Sequence, residues 1–80
     1  MGISRAVANR INELRSAKGF SINKLCTLSA VPQSTISEFM SGEIKSLGIV
    51  NLKMLCDGLD VSITEFFNTD EFRNMEQEIK

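Results

Sequence analysis

The side chains best suited to recognition chemistry in this 80-residue chain are concentrated between residues 33 and 38. This stretch holds Gln33, Ser34, Thr35, Ser37 and Glu38, whose amide, hydroxyl and carboxylate groups make hydrogen bonds. The chain has no histidine, no Cys/His pair, no glycine-rich phosphate loop and no evident pair of catalytic carboxylates. The sequence therefore predicts recognition of a target through hydrogen bonds, and not an enzyme.

Cys26 and Cys56 lie far apart in sequence and form no C-x-x-C motif. Without histidine we expect no structural zinc site, no other metal and no cofactor, and no small-molecule substrate is evident. Both cysteines fall on apolar helical faces, so we interpret them as small buried residues in a reducing cytosol. No segment approaches the ~20 apolar residues that span a bilayer, and no signal peptide is evident. These observations predict a cytoplasmic protein.

The polar stretch lies on the second of two short helices predicted between Ser21 and Gly42. Each helix has an apolar stripe, formed by Ile22, Leu25 and Cys26 in the first and by Ile36, Phe39 and Met40 in the second. Ser21 is the expected N-cap of the first helix. A turn over residues 29–31 separates them, and Pro32 is expected to open the second because proline suits a first helical turn. This arrangement is typical of a helix-turn-helix.

Three further helices are predicted to support this pair. The first helix of the chain is expected to begin at Ser4 as N-cap and to end at Gly19. A fourth helix is expected to start near Gly48 and to end at Asp60. Its predicted inner side consists of Ile49, Leu52, Leu55, Cys56 and Leu59. A short fifth helix is expected to begin at Ser62, with Glu65 completing a capping box.

Composition and length favour one small all-α domain. Hydrophobic residues make up 42% of the chain and charged residues 24%, which is ordinary for a globular protein. We predict a compact five-helix domain over residues 1–69, followed by an acidic C-terminal tail or short helix over residues 70–80. In the latter segment Phe72, Met75 and Ile79 follow a weak amphipathic helical pattern.

The charges are segregated along the chain, although the formal net charge is only -1. Residues 1–56 carry seven basic and three acidic side chains, whereas residues 57–80 carry two basic and seven acidic ones. This asymmetry is typical of a domain with one face on a polyanion and the other turned away. An acidic end that merely aids solubility would produce the same pattern.

Four linked segments resemble the phage repressor and Cro type of helix-turn-helix transcriptional regulators, also called xenobiotic-response-element-like. They are R-I-N-E-L-R-S-A-K-G-F-S, L-C-T-L-S-A-V-P-Q-S-T-I-S, the S-G after the third helix, and L-C-D-G-L-D-V-S-I-T-E-F-F. The resemblance covers residues 10 to about 67. It implies a five-helix domain that binds double-stranded DNA as a homodimer on paired half-sites and regulates transcription, as a repressor.

The same resemblance implies roles for individual residues. Base-edge contacts are expected from Gln33, Ser34, Ser37 and Glu38. Contacts to the DNA backbone are expected from Arg15, Lys24, Thr35, Ser41 and Lys45. The chemistry agrees, because glutamine can pair with adenine, serine bonds to either kind of base edge, and glutamate accepts from the cytosine amino group.

Several positions depart from the family pattern. Ile22 replaces a usual glutamine, which removes one expected backbone contact. Ala30 replaces the usual turn glycine, so the turn must suit a Cβ atom or carry strain. Gly48 removes the usual side-chain cap of the fourth helix, and Asp60 replaces a common glycine. Glu38 places a carboxylate near phosphates, where it can act by rejecting wrong sequences.

Two alternatives remain open at the level of sequence. The same fold could serve as a protein-interaction module, such as an antitoxin or an anti-repressor partner, with the fourth and fifth helices and the acidic end as its binding surface. Arg10 could be another phosphate contact or a solvent-exposed helix charge.

Overall fold

Six helices make up the part of the chain that the computed structural model describes, residues 2–79. They are α1 (Ile3–Ala17), α2 (Ile22–Ser29), α3 (Gln33–Ser41), α4 (Ile49–Gly58), α5 (Ile63–Phe67) and α6 (Asp70–Arg73). The predicted all-α class is confirmed, and the five predicted helices are present. The short α6 follows them.

A single hydrophobic core joins the first five helices. Each of them contributes a fully buried side chain to it, namely Ile11, Leu25, Ile36, Leu55 and Phe66 in chain order. Burial of one such side chain is worth about 1.5–3 kcal/mol, so the core fixes how the helix-turn-helix sits on α1, α4 and α5.

Local hydrogen bonds set the boundaries of the helix-turn-helix. The Ser21 hydroxyl accepts a hydrogen bond from the Lys24 amide at 3.1 Å, which confirms the predicted N-cap of α2. At the other end Ala30 adopts a left-handed conformation with φ of 61° and its amide donates to Cys26 O at 2.9 Å. Pro32 is the N-cap of α3 and not its first residue, so α3 begins one position later than predicted.

Helices α2 and α4 approach each other closely at Ser29 and Gly58. A Cβ atom on Gly58 would lie 2.9 Å from Ser29 Cβ and 3.0 Å from Ser29 N, closer than packed atoms allow. Ser29 is buried, and its hydroxyl donates to Leu25 O at 2.7 Å and so needs no partner from α4. The absence of a side chain at residue 58 therefore sets the spacing between the helix-turn-helix and α4.

The predicted start of α1 is wrong. Gly2 is its N-cap, and Ser4 lies inside the first turn with its hydroxyl donating to Lys45 O in the α3–α4 loop. The sequence pattern favoured Ser4 because serine is a common cap, but this serine has a partner 41 residues away.

Another prediction about a helical face is wrong. Ile49 does not face the core: it is 79% exposed, because it is the first residue of α4 and projects beyond the packed face formed by Leu55 and Cys56. The segment predicted to be an acidic tail or a short helix contains the short α6, which ends at Arg73, so the weak amphipathic pattern of Phe72, Met75 and Ile79 does not continue as a helix to Ile79, which is 87% exposed. Only Phe72 has aromatic partners: its ring centroid lies 4.8 Å from that of Phe67 and 6.2 Å from that of Phe66.

Candidate nucleic-acid interface

The exposed side of α3 gathers the polar residues that the sequence singled out. Gln33, Ser34, Ser37 and Glu38 are all exposed. At roughly 100° per residue they occupy an arc of about 140°, opposite the core side of the helix. Thr35 is half-buried at the margin of this arc. The structure therefore brings the four predicted base-reading residues together on one helical face.

The two ends of α3 differ in how their backbone groups are satisfied. At the N-terminus Pro32 provides no side-chain cap, so the first-turn amides receive no side-chain acceptor within residues 2–79. At the C-terminus Gly42 takes a left-handed conformation with φ of 88°, and the Ser41 hydroxyl donates to Glu38 O at 3.1 Å. The uncapped, electropositive end of α3 lies beside Gln33 and Ser34, where a negatively charged group would be stabilised.

Glu38 is the only acidic residue on the exposed face of α3. Its backbone oxygen accepts from Ser41 Oγ and from the Ile44 amide at 3.2 Å, whereas its carboxylate has no ion-pair partner within the described chain. A carboxylate held only by solvent can accept from a hydrogen-bond donor on a target, and it repels a target that presents only phosphate oxygen.

The basic side chains without an ion pair in residues 2–79 all lie in the N-terminal part of the chain, which includes the helix-turn-helix. Three basic side chains in residues 2–79 form ion pairs, namely Arg10 with Glu13, Lys53 with Asp57 and Arg73 with Asp70. The basic side chains without an ion pair in that part of the chain are Arg5, Arg15, Lys18, Lys24 and Lys45. All five precede residue 46, so the uncompensated positive charge lies in α1, in α2 and in the loops on either side of the helix-turn-helix. Such a distribution attracts a polyanion.

Lys24 and Lys45, two of the predicted backbone contacts, are exposed. Lys24 lies in the first turn of α2, and Lys45 lies in the loop that follows α3. Two hydrogen bonds connect this region to α1. The Ser4 hydroxyl donates to Lys45 O in the loop, and Arg5 Nη1 donates to Met40 O near the end of α3 at 3.3 Å. Neither hydrogen bond was predicted from the sequence, since the bonded residues are 35 to 41 positions apart and no local pattern marks them.

Arg15 differs from these lysines because its guanidinium is engaged inside the protein. Nη1 donates to Phe20 O at 2.8 Å and Nη2 donates to Asn12 Oδ1 at 3.0 Å. The Nε–H group is buried with no acceptor among residues 2–79. Arg15 thus shapes the corner between α1 and α2, and its predicted phosphate contact would have to share a guanidinium that already has two partners.

Arg10 proves to be neither a free phosphate contact nor a solvent-exposed charge. Its side chain is 14% exposed, and it donates from Nε to Phe66 O at 2.8 Å and from Nη2 to Glu65 O at 3.0 Å. It therefore donates hydrogen bonds to carbonyl groups at the C-terminal end of α5, where the helix dipole also stabilises a positive charge. One feature of the sequence is consistent with this role of Arg10: the last turn of α5 has no basic residue of its own to interact with these carbonyl groups.

Both cysteines pack in or against the hydrophobic core. Cys56 is buried in the core and Cys26 is half-buried against it. Burial raises the pKa of both thiols, and the neighbouring Asp57 carboxylate adds to the effect at Cys56, so both stay protonated near neutral pH. Residues 2–79 contain no cluster of three or more potential metal ligands and no helix long and apolar enough to cross a membrane.

In a comparison with known protein families, residues 10–71 match the family model described as a Cro/C1-type HTH DNA-binding domain. The match includes all of α2 to α5, the second half of α1 and the start of α6. No curated protein and no solved structure matches the chain.

Proposed function

Because the chain belongs to the Cro/C1-type helix-turn-helix family of DNA-binding domains, we propose that it is a transcriptional repressor that reads the major groove of duplex DNA with α3. One observation carries this proposal: the exposed face of α3 is polar and almost uncharged, and the neighbouring segments α2 and the α3–α4 loop carry the exposed lysines Lys24 and Lys45, which form no ion pair within residues 2–79. A helix fits the major groove, where each base pair presents a distinct set of donors and acceptors.

Four side chains of α3 make the base contacts in this proposal. Gln33 contributes the bidentate pair to adenine, and Ser34 and Ser37 bond to adjacent base edges. Glu38 accepts from a cytosine amino group where one is present and disfavours sites that lack a donor. Their common position on one arc supports this assignment, because a single groove can then reach all four.

Backbone contacts fix the register of α3 in the groove. Lys24 and Lys45 supply the charge, Thr35 supplies a hydroxyl group at the margin of the arc, and Ser41 supplies one at the C-terminal end of α3. Arg15 contributes from the α1–α2 corner, through the guanidinium that also binds Phe20 O. With about 4 to 6 phosphate contacts per protomer, the affinity falls steeply as salt increases, because binding releases counterions from the DNA.

We further propose that the protein acts as a homodimer on two half-sites about one helical turn, ~34 Å, apart or a multiple of it. Two adjacent apolar residues at the start of α4 support a protein contact, since Ile49 is 79% and Val50 68% exposed. Sedimentation of the wild type and of a Val50→Asp variant tests this point, and the variant is expected to be monomeric at concentrations where the wild type is dimeric.

The same exposed apolar pair favours a second candidate, in which the domain is a protein-interaction module such as an antitoxin or an anti-repressor partner. In that function the surface of α4, α5 and the acidic end would bind another protein. The exposed polar face of α3 would then be merely solvated.

A gel-shift titration with random-sequence duplexes at two salt concentrations separates the two candidates. DNA binding predicts a complex at low salt that weakens strongly at the higher concentration. If no complex forms at low salt, the repressor proposal fails and the interaction module becomes the better account.

A further inference from the structure

The N-terminus of α1 is capped by a residue from the other end of the chain. Gly2, the N-cap, has no side chain to offer, and the first turn of α1 contains no acidic residue. The Ile3 amide instead donates to Glu78 Oε1 at 3.0 Å. A carboxylate at this position satisfies an otherwise unpaired amide and complements the helix dipole.

Among residues 2–79, Glu78 is exposed and its carboxylate makes this one hydrogen bond. We call residues 74–79 the C-terminal strap. The strap follows α6 without helical structure, and within it Met75 is half-buried whereas Ile79 is 87% exposed. Within residues 2–79, Glu78 is the one strap residue whose side chain forms a hydrogen bond. A largely exposed segment with one side-chain hydrogen bond within residues 2–79 can detach without unfolding of the core.

Glu78 also shares a groove with Lys45, one of the cations proposed to contact DNA. It lines a groove of about 370 Å³ whose other walls include Ser4, Arg5, Gly42 and Lys45. Arg5 and Lys45 are two of the cations without an ion pair in the described chain. The expectation that the acidic end is turned away from the positive face therefore does not hold for Glu78, which returns to the edge of that face.

We propose that the C-terminal strap is an autoinhibitory contact that lowers the affinity for DNA. This inference rests on the proposed function. While attached, the Glu78 carboxylate repels a phosphate that approaches Lys45, over the ~8–10 Å at which charges interact in physiological salt. Coupling between two sites is reciprocal, so DNA binding in turn weakens attachment of the strap and exposes the Ile3 amide.

Three variants test the proposal by quantitative gel shift on one duplex that the wild type binds. Glu78→Ala removes both the charge and the acceptor, and Glu78→Gln removes the charge but keeps an oxygen for the Ile3 amide. Glu76→Ala is the matched control, because it removes a carboxylate from the same strap that forms no hydrogen bond or ion pair within residues 2–79. Both Glu78 variants are expected to bind about two- to fivefold more tightly at low salt, with a smaller gain at high salt.

Hydrogen exchange of the Ile3 amide provides a second measurement. We expect exchange to be faster in Glu78→Ala than in Glu76→Ala without DNA, and to become faster in the wild type when duplex is added. Equal affinities of wild type and Glu78→Ala, or an equal gain in the Glu76 control, would overturn the proposal. If neither wild type nor any variant binds duplex, the proposed function fails and the autoinhibition falls with it.

Discussion

Gln33, the first residue of α3, is the most specific base contact in the proposed complex. Its side chain is exposed at the uncapped end of the helix, so no intramolecular bond has to break before it meets a base edge. Replacing Gln33 with Ala is expected to cost about 1–3 kcal/mol at one base pair and to relax the preference there. Competition with duplexes substituted at each position measures this effect.

A matched control for the Gln33 prediction is Thr64→Ala, an exposed position on α5. This change should leave the affinity for every duplex within error. Equal weakening on all duplexes by Gln33→Ala would refute the base-reading role, because a uniform loss indicates a contact to the phosphate backbone.

Ala30 carries strain that a glycine would relieve. Its φ of 61° lies in the left-handed region, where a Cβ atom is unfavourable by about 1–2 kcal/mol. Ala30→Gly also increases the entropy of the unfolded chain, which offsets roughly half of that gain. We expect a net increase of about 0.5–1 kcal/mol in the free energy of unfolding, measured by urea denaturation.

The comparison for Ala30 is Ala17→Gly, at an exposed position in the last turn of α1. There glycine relieves no strain, so it should lower stability by up to about 1 kcal/mol. A loss of stability in both variants would show that the turn at Ala30 is not strained.

At the scale of the helices, Arg10 joins α1 to the end of α5. Two of its donors reach carbonyl oxygens of α5 while the side chain is largely shielded from solvent. Replacing it with Met keeps the aliphatic packing but leaves those carbonyls without their charged donor. We expect a loss of about 1.5–3 kcal/mol in the free energy of unfolding, read from chemical denaturation.

Arg73→Met is the control for Arg10, since Arg73 pairs with Asp70 at a site where its side chain is 55% exposed. A surface pair contributes at most about 1 kcal/mol. Should the two variants lose the same small amount, the link between α1 and α5 would be no stronger than a surface ion pair.

The helices could be predicted from the sequence wherever their determinants are local. The cap at Ser21 and the apolar positions Leu25 and Ile36 are set by neighbours a few residues away, and the structure agrees with all three. At Ser62 the hydroxyl accepts from the Glu65 amide at 2.9 Å, so the predicted cap of α5 is present too. Local hydrogen bonds and helical periodicity suffice for these features.

The determinants that the sequence did not reveal are long-range. Ser4, Arg10 and Glu78 have partners 41 to 75 residues away. Nothing in the chain near them distinguishes these side chains from solvated ones, and the one signal for Arg10 lies in α5, whose last turn has no basic residue. The close contact between Ser29 and Gly58 could not be predicted from the sequence either, because it depends on how α2 and α4 pack. The candidate site was predicted residue by residue through the family resemblance, and its contacts to DNA stay predictions.

For the molecule as a whole, the distribution of charge matters more than its sum. Lys45 is an exposed cation without an ion pair in the described chain, whereas Lys53 is paired with Asp57 on α4. Lys45→Ala should reduce the slope of log K against log salt by about 0.9, since one fewer phosphate is neutralised. Lys53→Ala should leave the slope unchanged, and an equal change in both variants would mean that DNA responds only to net charge.

The central claim is that this domain recognises a duplex sequence with α3, and selection of bound duplexes from a random pool tests it most directly. The wild type should enrich a defined motif at low salt, present in two copies about one helical turn, ~34 Å, apart or a multiple of it. A bound pool with the same base composition at every position as the input would contradict the claim.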